Sequence, residues 1–243
     1  MKSKNEDKNN AGDSIVARNS SWSFGGDVAK HFDEHVNKSV PFYEEGHDLI
    51  SKVSDFYLSD NSTCYELGCS TATLSKKIAE RHINKNIKII GIDKEKNMVI
   101  EAKMNCKGFR NIKVVNNDLL EFEYKKSDLI ISYYTIQFVS PKNRQTLINR
   151  IYESLNWGGA FLLFEKVRAP DARFQDILTA LYTEYKLDKG YTPSEIISKH
   201  RSLKGVLEPF SSQGNTDLMI RAGFVDIMSI YKYMCFEGYL AIK

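Results

Sequence analysis

The stretch Tyr65-Glu66-Leu67-Gly68-Cys69-Ser70-Thr71-Ala72-Thr73-Leu74 decides the fold of this chain of 243 residues. Its first half belongs to a short apolar run over 63–67 that predicts a strand, and its second half opens an amphipathic helix predicted over 72–82. Small residues at positions 68, 70 and 72 let the backbone turn sharply and let a ligand lie against its N–H groups. The stretch therefore predicts a strand, a ligand-binding turn and a helix.

The alternation of strand and helix continues along the chain. Strands are predicted over 63–67, 87–92, 112–115, 128–134, 159–167, 227–233 and 239–243, and helices over 72–82, 97–107, 141–155, 171–185, 194–206 and 216–222. Strands that alternate with helices of this length indicate a parallel sheet with helices on both faces. The link 234–238 between the last two strands is too short for a crossover, so these two are predicted to form an antiparallel hairpin.

Three segments lie outside this alternation. Residues 1–21 are polar and are predicted to be a disordered tail. Residues 22–57 are predicted to form two helices, broken at Pro41, that cover the sheet as a helical lid. Residues 169–206 carry two helices without a strand between them, which indicates an insertion. The length of the chain favours one domain over 22–243.

The composition excludes several functional classes. The chain is 42% hydrophobic and 27% charged, which is typical of a globular protein, and its net charge of +3 is too small to argue for a nucleic-acid or membrane partner. Its apolar runs are shorter than the roughly 20 residues of a membrane helix. The four cysteines form no C-x-x-C pair, which favours reduced thiols over a metal site or a disulfide framework. We expect a cytoplasmic protein that binds no metal and acts on a small molecule. Whether it forms a homodimer is left open by the sequence.

Two acidic residues fall in register with the turn at Gly68. Asp93 ends the second predicted strand, about 25 residues beyond Gly68, and Asp118-Leu119 follows the third. At the shared edge of a parallel sheet, Asp93 would accept both hydroxyls of a ribose and Asp118 an adenine amino group, while Leu119 would pack against the ring. Each residue alone would be an ordinary turn or cap, but the common register predicts a nucleoside site.

The type of nucleoside follows from the small residues of the turn. A dinucleotide site would have glycine where this chain has Ser70 and Ala72, and no phosphate-binding Gly-Lys-Ser/Thr follows the first strand. This form of the turn, with Asp93, Asp118 and the terminal hairpin, resembles class I S-adenosylmethionine (SAM) methyltransferases. Glu66 beside the turn suits a positively charged sulfonium and would repel a pyrophosphate.

A set of short motifs from about residue 22 to the end narrows the resemblance. They are Trp22-x-Phe24, Phe32-Asp33, Lys38-Ser39-Val40-Pro41-x-Tyr43, Glu66-Leu67-Gly68-Cys69-Ser70, Thr135-Ile136-Gln137-Phe138, Leu155-x-x-Gly158-Gly159-Ala160, Glu165-Lys166, Gly190-Tyr191 and Arg201-Ser202. In this order they resemble the carboxy-S-adenosyl-L-methionine synthase family of class I SAM-dependent methyltransferases. The resemblance implies a Rossmann-like α/β fold with a seven-stranded, mostly parallel sheet, SAM as cofactor, and the synthesis of carboxy-SAM from SAM and prephenate for a tRNA wobble-uridine modification.

The resemblance also implies roles for single residues: the tyrosine at Tyr43 lies over the ligand, and the arginine at Arg201 holds the carboxylate of the modified donor. Together with the strand-end residues, the predicted cofactor site comprises Tyr43, Glu66, Gly68, Cys69, Ser70, Asp93, Asp118, Leu119 and Tyr133. The predicted substrate site comprises Arg201, Tyr191 and Tyr134. The alternatives are a solvated helix-face arginine at 201 and core or lid packing for the four tyrosines.

Two departures from the family pattern bear on the reaction. The turn at Ser70 is two residues shorter than in the family, and Tyr133 stands where the family has an asparagine that touches the ligand. A phenol is bulkier and lacks an amide's paired donor and acceptor.

We therefore predict methyl transfer from SAM to a small acceptor whose carboxylate Arg201 holds, with carboxy-SAM synthesis as the alternative. No catalytic residue is predicted, because methyl transfer needs mainly in-line placement of the reacting atoms. A module that only senses SAM and a nucleic-acid-modifying enzyme are the other classes considered; the near-neutral charge speaks against the latter.

Overall fold

Seven strands form one sheet in the part of the chain that the computed structural model describes, which is Ser20, Trp22 and residues 28–243. They are β1 (Thr63–Leu67), β2 (Lys88–Asp93), β3 (Ile112–Asn116), β4 (Ser127–Tyr133), β5 (Leu155–Lys166), β6 (Asp226–Tyr233) and β7 (Phe236–Ile242). The order across the sheet is β3-β2-β1-β4-β5-β7-β6. Strands β1 to β5 are parallel, and β7 pairs antiparallel with both β5 and β6. The predicted α/β fold with its terminal hairpin is confirmed.

Helices cover both faces of this sheet. Within the described residues they are α1 (Val28–Ser39), α2 (Tyr43–Val53), α3 (Thr73–Arg81), α4 (Lys96–Asn105), α5 (Pro141–Ser154), α6 (Ala172–Asp188), α7 (Pro193–Leu203) and α8 (Ser212–Ala222), with short 3₁₀ turns at Ser54–Phe56 and Ile136–Phe138. None of them is long and apolar enough to cross a membrane. The predicted tail 1–21 lies outside the described residues apart from Ser20, and so does Phe24 of the family motif.

Neighbouring strand residues face two separate apolar cores. On β4, Ile131 points to the core under α2 and α3, while Ile130 points to the core under α5 and α8. Both side chains are fully buried, and burying an isoleucine contributes about 1.5–3 kcal/mol. Because both faces are covered, the central strands are continuous apolar runs without the polar alternation of a half-exposed sheet.

The hairpin differs from the sequence prediction at its turn. The link was expected at 234–238, yet β7 already begins at Phe236. Gly238, the last residue of the predicted link, lies within β7, and a Cβ there would meet the ring of Phe164 at 2.4 Å. The glycine makes room for a core aromatic, and the chain reverses at Met234 instead, whose φ is 47°.

Two other boundaries were also displaced. Helix α8 begins four positions before the predicted 216, because the Ser211 hydroxyl caps it by accepting from the Gly214 N–H. Strand β5 begins at Leu155 rather than at 159. Its register with β4 shifts between the pairs Ser127–Leu155 and Leu129–Ala160, so a bulge accommodates the extra residues 156–159.

The sheet reverses its strand order between β1 and β4, which are adjacent in the sheet although β2 and β3 lie between them in the sequence. The loops that leave these two strands run to opposite faces, and this divergence opens a crevice at the carboxyl edge of the sheet. The lid helices α1 and α2 and the inserted helices α6 and α7 lie around that crevice.

Candidate active site

A cavity of about 820 Å³ occupies the crevice at the carboxyl edge of the sheet. Its walls come from the ends of β1 to β5, from α1 and α2, and from α6 and α7. Ligand pockets in proteins usually measure about 300–1,000 Å³. The cavity is thus large enough for a nucleoside and a second small molecule together.

The turn after β1 is held in shape by Asp93 from the end of β2. One oxygen of the Asp93 carboxylate accepts from the Ser70 N–H at 2.9 Å, and the other accepts from the Glu95 N–H at 2.9 Å. Gly68 has a φ of 67°, and a Cβ at this position would lie 2.3 Å from the side chain of Thr135. The close approach of the β1 and β4 ends therefore requires glycine here.

Glu66 is buried at the end of β1 and lines the cavity. Its carboxylate accepts a hydrogen bond from the Ser75 hydroxyl. Burial raises the pKa of Glu66 to about 8; the Ser75 hydrogen bond opposes this rise, and Asp93 and Asp33 add to it. The carboxyl is thus mainly protonated at pH 7 in the free protein and would ionise next to a cation.

The lid is tied to the same turn through Asp33 of α1. Its carboxylate accepts from the Thr71 hydroxyl at 3.0 Å and from the Thr73 hydroxyl at 3.1 Å. On α2, Tyr43 is buried and lines the cavity, as expected of a residue predicted to lie over the ligand. The position of the lid helix α1 and the conformation of the turn after β1 are therefore linked through these hydrogen bonds.

Tyr133 and Tyr134 end β4 beneath the lid. The Tyr133 hydroxyl donates to the Tyr43 carbonyl at 2.7 Å, and its ring packs against Tyr43 and His47 at centroid distances of 4.9 and 4.8 Å. Tyr134 has a φ of 56° and packs on Phe236 at 5.8 Å. Both tyrosines line the cavity, and both also belong to the core under α2, so the alternative of lid packing describes much of their surroundings.

The far side of the cavity, under α6 and α7, is basic. The cations that line this side are Lys166, Arg168, Lys186, Lys199, Arg201 and Lys204. His200 also lines it, and burial together with the nearby lysines lowers its pKa below the usual histidine value. The only carboxylate of the described lining on this side, Glu208, already pairs with Arg168 at 3.8 Å. On the other side the lining carboxylates are Asp33, Glu66, Asp93, Glu95 and Asp118, with Lys94 the one lysine among them. The cavity thus has an acidic half and a basic half.

The structure brings nearly all predicted site residues to this cavity. Cys69, Leu119 and Arg201 are part of its wall, and so is Asp118, whose carboxylate accepts from the Leu120 N–H at 2.8 Å. Tyr191 is the exception. It is buried, it does not line the cavity, and its hydroxyl shares a hydrogen bond with Ser39 at 2.9 Å.

Several residues that line the cavity were not among the site residues predicted from the sequence. Asp33 and Lys166 stood within the quoted motifs, which was the one signal available for them, but no role followed from it. Lys186 and Lys199 gave no signal, because a lysine on a helix is usually solvated. Lys199 instead contacts His35 at 2.8 Å and Ser39 at 2.5 Å, which joins α7 to the lid.

Comparisons of sequence place this chain among known proteins. Residues 65–159 match the family model described as a methyltransferase domain. The chain is 35% identical over 223 residues, 91% of its length, to a Staphylococcus epidermidis protein named carboxy-S-adenosyl-L-methionine synthase, and it covers 97% of that relative. A Campylobacter jejuni protein of the same name is also 35% identical, with 91% of this chain and 94% of the relative covered.

Comparisons of structure support the fold. Human N-acetylserotonin methyltransferase in complex with SAM is similar with a TM-score of 0.56 at 21% identity, covering 83% of this chain and 55% of that one. A Nostoc punctiforme protein described as an O-methyltransferase is similar with a TM-score of 0.62 at 14% identity, covering 89% and 59%. At these identities the likeness extends to the fold alone.

The packing of Tyr133 against the lid gives a testable prediction. A Cβ on Gly46 of α2 would lie 2.1 Å from the Tyr133 hydroxyl oxygen, so Gly46→Ala overpacks the contact. Overpacking costs about 1–3 kcal/mol, which in a chain of this length lowers the Tm by roughly 2–10 °C in a thermal melt.

The matched control is Gly214→Ala in α8, where the nearest atom would be 3.3 Å away, so the Tm should change by less than in Gly46→Ala. Tyr133→Phe removes the hydroxyl and should restore part of the loss in the double variant. Additive effects of Gly46→Ala and Tyr133→Phe would contradict the contact.

Proposed function

We propose that this chain, which belongs to the carboxy-S-adenosyl-L-methionine synthase family, converts SAM and prephenate to carboxy-SAM, phenylpyruvate and water. The ring carboxyl group of prephenate is transferred to the methyl carbon of SAM, whose proton leaves together with the ring hydroxyl group as water. It is a SAM-dependent transferase, and SAM is its cofactor. The observation that carries the proposal is the division of the cavity into an acidic and a basic half. A positively charged donor and a dicarboxylate are the pair of molecules that such a cavity favours.

The acidic half fits SAM by the chemistry of its donor set. The Asp93 carboxylate is fixed by two backbone N–H groups and keeps lone pairs for the two hydroxyls of a ribose. Leu119 offers an apolar surface to the adenine, and Asp118 offers an acceptor for its amino group. When bound, SAM would supply a methyl carbon activated by a positively charged sulfur. Glu66, once ionised, would stabilise that charge from the buried end of β1.

The basic half fits a substrate with two carboxylates, as prephenate has. Arg201 of α7 is exposed at the wall of the cavity, and its guanidinium has no hydrogen bond or ion pair with the described residues. A planar guanidinium binds a carboxylate through two parallel hydrogen bonds. In the proposed reaction Arg201 would hold the carboxylate of the product donor, as the resemblance implies.

The structure gives Tyr133 a role other than replacing the family asparagine. Its hydroxyl is engaged by the Tyr43 carbonyl, and its ring fills the space under Gly46. These contacts with the lid account for a tyrosine at this position by packing, which supports the proposal despite the departure from the family asparagine.

Methyl transfer to a small carboxylate acceptor is the second candidate. The short turn favours it, because this is the form that the turn has in ordinary methyltransferases. In this chain Ser70 and Ala72 carry positive φ values of 44° and 59° in the turn. This turn differs from the longer form of the family, and Arg201 would serve an acceptor carboxylate equally well.

The reaction itself is the first test. Incubation of the purified protein with SAM and prephenate should release phenylpyruvate and yield a donor heavier by one carboxyl group, both measured by mass spectrometry. Adenosylhomocysteine with unreacted prephenate would contradict the proposal, and formation of adenosylhomocysteine with another carboxylate acceptor would establish the second candidate.

Arg201→Ala separates the two reactions further. If Arg201 holds the carboxylate of the product, the variant should lose roughly 10- to 100-fold in affinity for carboxy-SAM and keep its affinity for SAM, measured by calorimetry, because hydrogen bonds between charged groups contribute about 1.5–3 kcal/mol. Arg110→Ala, at an exposed arginine outside the cavity lining, is the control. A raised KM for an acceptor with an unchanged ratio of the two affinities would argue for methyl transfer.

The raised pKa of Glu66 predicts a pH dependence. In the free protein the carboxyl is protonated below its pKa of about 8, and a nearby sulfonium lowers this pKa, so SAM binding at pH 7 should release a proton. The affinity for SAM should therefore rise as the pH increases toward 8, whereas the affinity for adenosylhomocysteine, whose sulfur carries no charge, should stay level.

Calorimetry in two buffers of different ionisation enthalpy counts the released proton. Glu66→Gln should abolish this release for SAM. Equal proton release for both ligands would show that another group titrates.

A further inference from the structure

Two lysines share one aromatic ring in the basic half of the cavity. The Lys166 ammonium, at the end of β5, lies 4.3 Å from the centroid of the Tyr182 ring, and the Lys186 ammonium, on α6, lies 4.6 Å from the same centroid. All three residues line the cavity. The ring is fixed from the lid, because the Tyr182 hydroxyl donates to the Ser39 carbonyl at 2.7 Å.

Neither ammonium group has a negative partner among the described residues. The Lys166 backbone N–H is bound by the Gln137 side chain at 2.8 Å, but its Nζ makes no hydrogen bond or ion pair there, and neither does that of Lys186. The ionisable groups around the pair are the thiol of Cys235, the cation Arg168, and the imidazole of His200, whose pKa is lowered by burial and by both lysines. The Tyr182 ring faces both ammonium groups, and the Phe236 ring lies farther from Lys166, at 6.0 Å.

The electrostatic state of the pair is consistent with this imbalance. Burial lowers the pKa of Lys166, and burial together with the charge of Lys166 lowers the pKa of Lys186 to about 8. A cation–π contact contributes only about 0.5–2 kcal/mol. An anion bound in the cavity would offset the free-energy cost of desolvating the two ammonium groups and of their mutual repulsion.

We propose that Lys166, Lys186 and the ring of Tyr182 form a second carboxylate subsite, distinct from Arg201, which binds the other carboxylate of a dicarboxylate substrate. This assignment rests on the proposed function for the identity of that substrate, prephenate. Arg201 on α7 and the lysine pair on β5 and α6 approach the cavity from different elements. The two subsites together explain why a substrate with two carboxylates would be preferred over one with a single carboxylate.

A labelling experiment on the unaltered protein tests the subsite without turnover. Reductive methylation with formaldehyde and cyanoborohydride is followed by peptide mass spectrometry, in the presence of adenosylhomocysteine, with and without prephenate or glutarate. At least one of the two dicarboxylates should slow the labelling of Lys166 and Lys186 at least fivefold. Lys103, exposed on α4 outside the cavity, should be labelled at the same rate throughout. If neither dicarboxylate protects the pair, the subsite is wrong.

Variants give the second arm. Lys166→Met and Lys186→Met should each weaken the binding of the protecting dicarboxylate at least tenfold by calorimetry, with the affinity for adenosylhomocysteine changed less than twofold. Lys103→Met is the matched control and should change neither. Lys166→Arg keeps the charge and should retain most of the affinity, which separates a lost subsite from a damaged fold.

The outcomes of this experiment and of the reaction assay are independent. Protection of both lysines without any carboxy-SAM formation would overturn the proposed function and leave the subsite standing. Carboxy-SAM formation with unchanged prephenate affinity in both methionine variants would establish the function and overturn the subsite.

Discussion

The close approach of the β1 and β4 ends at Gly68 is the constraint on which the rest of the site depends. Only glycine leaves room for Thr135 at that point, and the backbone that turns there presents the Ser70 N–H to Asp93. The next residues of the same turn, Thr71 and Thr73, bind Asp33 of the lid. The shape of the turn, the position of the strand-end carboxylate and the seating of the lid are thus one connected arrangement.

The separation of acidic and basic groups in the cavity lowers the stability of the protein without its ligands. Glu66 is kept mainly protonated by burial at one end, and Lys166 and Lys186 are held without anions at the other. Burial disfavours the ionised form of the Glu66 carboxyl and the charged form of the two ammonium groups unless a partner of opposite sign is present. A cation bound at the first end and an anion at the second would relieve both costs, so binding and pKa changes are coupled in this site.

Much of the fold followed from local patterns, and the errors have specific causes. The strands β1, β2 and β4 are mainly buried runs between turn residues, and such runs depend little on distant contacts. The start of β7 was predicted too late because glycine is common in turns, whereas Gly238 lies within β7 and leaves room for the ring of Phe164 on the neighbouring strand. The predicted start of α8 came too late in the sequence, because the capping Ser211 and the internal Gly214 are residue types that are common in loops.

The sequence by itself determined the order of strands and helices and the register of Gly68, Asp93 and Asp118, because parallel strands of similar length bring their carboxyl ends to one edge. Tertiary structure alone decided the partners of side chains that meet across the chain. Tyr182 is fixed by Ser39, 143 positions away, and only this packing turns two ordinary lysines toward one ring. Likewise the direction of the Tyr133 hydroxyl depends on a carbonyl 90 positions away. Periodicity describes the face of an element, but the charge and contacts of a side chain are set by whatever the fold packs against that face.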